Sequence, residues 1–114
     1  MILHTSLIHL ASAAELQEMI SEHACVMVCC GRMGPMCVPV YQAMTELRTS
    51  YPAVQFCDMA FDLPDARVIR DLPECRSFLG LPFTVYYRDG KVAKATSGVQ
   101  NKNQVKAILD DLFA

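Results

Sequence analysis

The chain has no long hydrophobic run, no cluster of basic residues, no low-complexity tract and no internal repeat. Each absence removes a class of function. A helix that spans a bilayer takes about 20 consecutive apolar residues, and the apolar runs here are far shorter. Holding a nucleic-acid backbone or an anionic membrane takes clustered Lys and Arg. Here 10 basic residues are scattered among 12 acidic ones, for a net charge of −2, so neither nucleic acid nor membrane is an expected partner. No linker divides the 114 residues, which are expected to form a single domain over 1–114, a monomer with one core. The basic segment that opens a secretory leader is missing from MILHTSLIHLASAAEL, and two histidines interrupt its apolar part. That stretch is read as structure, and the expected location is cytoplasmic.

What the chain does have is sulfur. It carries six cysteines and seven methionines in a composition that is 53% apolar and 19% charged. Cys25, Cys29 and Cys57 fall inside strand-like apolar runs, where free thiols act as small core hydrophobes. Reduced thiols are therefore expected rather than a disulfide framework. The histidines His4, His9 and His23 show no metal-ligand spacing, and no cofactor is expected.

Periodicity predicts the elements in order. Ser6 to Leu10 alternates weakly as a first strand. Ser12 then caps a helix, with Glu15 completing a capping box and Leu16, Met19 and Ile20 as its buried stripe. Ala24 to Cys30 is the continuous apolar run of a strand buried on both faces. Gly31 to Pro35 turns the chain into a helix from Pro35 to about Thr49, where Pro39 still falls in the tolerant first turn. Val54 to Phe61 reads as a strand, Ala66 to Arg70 as a short helix, and Leu72 to Leu79 as helical toward its end. Phe83 to Tyr87 and Val92 to Thr96 flank the Asp-Gly hairpin signal at Arg88 to Lys91. Asn101 or Asn103 caps a last helix whose apolar face is Val105, Ile108, Leu109 and Leu112. The order β-α-β-α-β-α-β-β-α describes an α/β domain with a mixed central sheet.

Over nearly its whole length this chain resembles the thioredoxin family. The run GLPFTVYYRDGKVAKATSGVQNKNQVKAILDDLFA keeps Gly80, Pro82, Gly90 and Gly98 in the family's step, and SLIHLASAAELQEMI resembles its first strand and helix. GRMGPMC, residues 31–37, sits where the family carries W-C-G-P-C. The segment Leu63 to Leu79 is a few residues longer than usual. The resemblance implies a thioredoxin fold, a cis bond before Pro82, and a peptide-binding groove formed with Leu81 and Phe83.

The same resemblance exposes departures from the pattern. The chain has no tryptophan, and the strand positions Met27, Val28 and Cys29 offer no equivalent of the family's buried acid. Aligned without a gap, Met33-Gly34-Pro35-Met36 replaces both active-site thiols with thioethers, which neither ionise nor form disulfides. Helix phase favours a register shifted by one, because Cys37 then leads Val40, Ala43, Met44 and Leu47 on one buried face. In the unshifted register Gln42 and Glu46 would face the core, at a cost of several kcal/mol. In either register the attacking-cysteine slot holds Met33 or Gly34.

Three readings follow. Cys37 is a monothiol, with Cys30 or Cys29 as weaker partners, and any activity is thiol–disulfide exchange of an atypical kind linked to redox homeostasis. Its alternative is an inert cysteine packed inward. The second reading is a non-catalytic groove in which Met33, Met36, Leu81 and Phe83 hold a protein or peptide client, as an assembly factor or chaperone would. The third is Cu(I) binding by Cys29, Cys30, Met33, Met36 and Cys37, soft ligands without a tight spacing. Alkylation is expected to reach Cys37 or Cys75 before Cys25, Cys29 and Cys57, with Cys75 read as a surface bystander ahead of a thiol activated by Arg76. Adjacent Cys29 and Cys30 are expected to serve as core filler.

Overall fold

The computed structural model describes residues 3–113, so the extreme ends of the predicted 1–114 domain lie outside the described residues. Five strands and four helices follow the predicted order: β1 (Ile8–His9), α1 (Ala13–Glu22), β2 (Cys25–Gly31), α2 (Val38–Leu47), β3 (Val54–Ala60), α3 (Arg67–Arg70), β4 (Phe83–Arg88), β5 (Lys91–Ser97) and α4 (Lys102–Phe113). The sheet runs β1-β3-β2-β4-β5. β2 pairs parallel to β3 and antiparallel to β4, which places it at the centre. Among the described residues no helix is long and apolar enough to cross a membrane.

All seven residues of β2 are buried, and their alternation builds two cores. Met27 and Cys29 pack with α2 and α4 on one face. Val26, Val28 and Cys30 pack with α1 and α3 on the other. A strand covered on both sides needs no polar residue, which explains the unbroken apolar run.

The helix ends follow local chemistry. Ser12 Oγ accepts from the Glu15 N–H at 3.1 Å, while the Glu15 carboxylate reaches back to the N–H of Ala11 rather than that of the cap. At α4 the box closes reciprocally on Asn101, not Asn103: its Oδ1 accepts from the Gln104 N–H, and Gln104 Oε1 accepts from the Asn101 N–H, each at 2.8 Å. Asp89 and Gly90, with φ of 52° and 82°, form the predicted two-residue hairpin.

Two expectations are corrected. Helix α2 starts at Val38, three residues later than predicted, with Cys37 at its N-cap. Pro39 has no N–H to donate to the Pro35 carbonyl, so the turn from Gly34 to Val38 does not propagate. After Arg70 only a 3₁₀ turn, Pro73–Cys75, interrupts the loop, and Leu79 is 98% exposed rather than helical.

Candidate functional site

The loop after β2 and the segment before β4 meet at Gly31. A Cβ there would lie 2.8 Å from Cys37 Sγ, 2.8 Å from the Tyr41 hydroxyl and 3.1 Å from Pro82 Cβ. Glycine is the residue that lets these three groups share one point. The peptide bond from Leu81 to Pro82 is cis. The Pro82 carbonyl accepts from the Gly98 N–H at 3.1 Å, and the Ser97 hydroxyl donates to the Gly80 carbonyl at 2.7 Å, so β5 holds the segment that enters the cis bond.

Cys37 is 2% exposed, and its Sγ accepts from the Arg32 N–H at 3.4 Å. Tyr41, one turn further along α2, donates its hydroxyl to the Arg32 carbonyl at 3.1 Å. Both backbone polar groups of Arg32 are thus satisfied, one by the N-cap of α2 and one from its first turn. The Arg32 guanidinium turns outward, gripping both oxygens of Asp62 at 2.7 and 2.8 Å and lying over the Phe61 ring. That pairing holds the Asp62 carboxyl below its ordinary value. Helix α2 buries Val40, Ala43, Met44 and Leu47 and leaves Gln42 and Glu46 exposed, the phase that the shifted register requires.

The sulfurs divide sharply. All six cysteines are free and buried, Cys75 included. Cys75 therefore differs from the exposed thiol expected beside Arg76, because the 3₁₀ turn points it into the α1–α3 core. Burial raises the Cys30 and Cys57 thiols to about 12 and that of Cys75 to about 11, and it pushes Cys29 well above its ordinary value. Cys29 shares a core with Cys37, whereas Cys30 lies on the opposite face of the sheet. The two adjacent cysteines thus have separate neighbourhoods. Met33 and Met36, by contrast, are 44% and 51% exposed. The five candidate Cu(I) ligands are not gathered at one point, and no group of three or more His, Cys, Asp or Glu suits a metal among the described residues.

The groove residues also divide. Leu81 is half-buried, while Pro82 and Phe83 are buried. Phe83 meets Phe61 and Phe78 edge-on, at 5.4 and 5.5 Å between centroids, so it supports the segment from beneath instead of facing a client. The exposed apolar residue on this segment is Leu79, which sequence reasoning missed for want of any periodic signal.

A second omission is Asp58. It is 1% exposed in β3, beside Cys29 in the sheet register. Its carboxylate accepts from the Thr5 hydroxyl and lies 2.8 Å from His9 Nδ1. Burial raises the Asp58 carboxyl above its ordinary value, against the pull of Thr5 and His9. A lone acid inside the apolar run VQFCDMAF was the available sign. An open groove of about 420 Å³ runs between the N-terminal segment and α2, with Thr5, Met33 and Tyr41 in its lining.

Solved structures match this arrangement closely in shape. Mitochondrial thioredoxin 3 of Saccharomyces cerevisiae superposes with a TM-score of 0.76 at 22% identity, covering 94% of this chain and 96% of that one. Thioredoxin of Plasmodium falciparum gives 0.77 at 19% identity, covering 93% and 99%. This chain has the thioredoxin fold. Thioredoxin O2 of Arabidopsis thaliana, in its oxidised state, gives 0.76 at 18% identity over 100% of both chains. No protein-family model matches the sequence, and neither does any curated protein. Within the thioredoxin fold, then, this chain sets thioethers outward and every cysteine inward at the loop before α2.

Proposed function

We propose that this thioredoxin-fold protein holds a polypeptide client beside the Leu81–Pro82 bond and performs no ordinary dithiol disulfide reduction. One observation carries the reading: Met33 and Met36 are exposed at the loop while Cys37 beneath them is 2% exposed. A reductase needs an accessible thiolate and a second thiol to resolve the mixed disulfide. Flexible, polarizable thioethers instead suit a surface that adapts to varied apolar side chains. On the segment that enters the Leu81–Pro82 bond, Leu81 is half-buried and Leu79 exposed, which leaves further apolar surface for a client. Six free thiols support a reducing compartment such as the cytoplasm as the setting, where the protein would act as a monomer on a protein or peptide client.

A second reading keeps Cys37 as a monothiol serving redox homeostasis. It is favoured by the Arg32 N–H donating to Sγ at 3.4 Å, which ties the sulfur to the loop backbone. One assay separates the two. When dithiothreitol reduces insulin, a reductase hastens the turbidity of the released B chain, whereas a client-holding protein delays it. A delay that scales with protein concentration is expected. Acceleration would overturn the holding reading, and its loss in Cys37→Ser would then promote the monothiol.

A further inference from the structure

The chain separates its oxidisable sulfur by depth. The six thiols are at most 8% exposed, and Met27, Met44 and Met59 are fully buried. Only Met33 and Met36, which flank Gly34-Pro35, present sulfur-bearing side chains more than 40% exposed among the described residues. Thiols buried to this extent are shielded from an oxidant in solvent by the elements that cover them. A thioether needs no ionisation, so exposure alone decides its reactivity.

We infer that Met33 and Met36 form a reversible oxidation site, at which a peroxide converts exposed thioethers to sulfoxides and removes the apolar character of the loop. In each step the thioether sulfur attacks one oxygen of hydrogen peroxide, and the displaced hydroxide takes up the proton of the transferred oxygen. The O–O bond breaks, an S–O bond forms and water leaves. Sulfur is oxidised by two electrons and the peroxide is reduced by two. Two such steps put two polar oxygens on the exposed loop before α2. The cysteines, which are the usual responders in redox proteins, stay reduced in their cores. Methionine sulfoxide reductases restore the thioethers. The modification rests on exposure and sulfur chemistry, and it stands apart from whether the loop holds a client.

The test treats the intact folded protein with hydrogen peroxide and maps the products by peptide mass. Met33 and Met36 are expected to gain one oxygen each at least ~10-fold faster than Met27, Met44 or Met59, with all six thiols still alkylatable after unfolding. On hydrophobic-interaction chromatography the oxidised protein is expected to elute earlier and to return to its original position after reductase treatment. The variant Met33→Leu with Met36→Leu keeps the apolar surface and is expected to show no peroxide-dependent shift. A cysteine oxidised first, loop methionines no faster than the buried ones, or an unchanged elution position would each overturn the inference.

Discussion

Gly31→Ala probes the point on which the site turns. The added methyl would meet Cys37 Sγ and the Tyr41 hydroxyl at 2.8 Å and Pro82 Cβ at 3.1 Å. Non-bonded heavy atoms rest about 3.5–4.0 Å apart, so all three contacts are compressed. Pro82 is held by its ring and by the Gly98 bond to its carbonyl, and has little room to yield. Cys37 and Tyr41 must move instead. Withdrawing Tyr41 breaks its bond to the Arg32 carbonyl, worth about 1 kcal/mol. Overpacking of a buried site costs about 1–3 kcal/mol, and the stiffer unfolded chain returns roughly 0.4–1 kcal/mol. The net expectation is a loss of about 1–3 kcal/mol, read as a lower urea midpoint at unchanged slope. A second readout is chemical. In the native protein none of the six buried thiols should react quickly with iodoacetamide at neutral pH, which replaces the expectation that Cys37 or Cys75 labels first. In Gly31→Ala, Cys37 should turn outward and become the one thiol that labels. Tyr41→Phe in the same chain removes a clashing atom, so the two changes together should cost less than their sum by about 0.5–1 kcal/mol. An unaltered midpoint together with strictly additive costs would refute the shared-point geometry.

Two further expectations concern neighbouring positions. Burial raises the folded-state pKa of Asp58; a group raised in this way adds stability below its unfolded value and loses it as pH climbs through the folded one. The native protein should therefore gain stability relative to Asp58→Asn as pH falls from about 7 toward about 4, and urea titrations showing the reverse slope would exclude a buried, desolvated acid. At Gly34 an added Cβ meets nothing within 4 Å and φ is not positive, so Gly34→Cys should change stability by no more than about 0.5 kcal/mol. Its new thiol should alkylate quickly and remain unbridged in air, because Cys37 Sγ points away beneath the Arg32 N–H. Spontaneous loss of two thiols would show that Cys37 swings out freely.

The local rules decided most of the architecture. Period-two alternation, a period near 3.6 and the capping residues Ser12 and Asn101 act over a few residues, so the sequence alone set the element order, the Asp89-Gly90 hairpin and the buried face of α2. The family pattern around Gly80, Pro82, Gly90 and Gly98 was equally visible. What a sequence cannot carry is the meeting of distant segments. That Cys75 turns inward depends on a 3₁₀ turn docking on the α1–α3 core, and that Cys29 and Cys30 part company depends on helices covering both faces of β2. The use of Asp58 depends on β3 lying beside β2 and on Thr5 and His9 arriving from the N-terminal segment. Likewise, Gly31 looks like an ordinary strand-end glycine until α2 and the Pro82 segment close on it from two sides. Tertiary packing alone therefore decided which sulfurs meet solvent, because exposure is a property of what neighbouring elements cover and not of the residue itself.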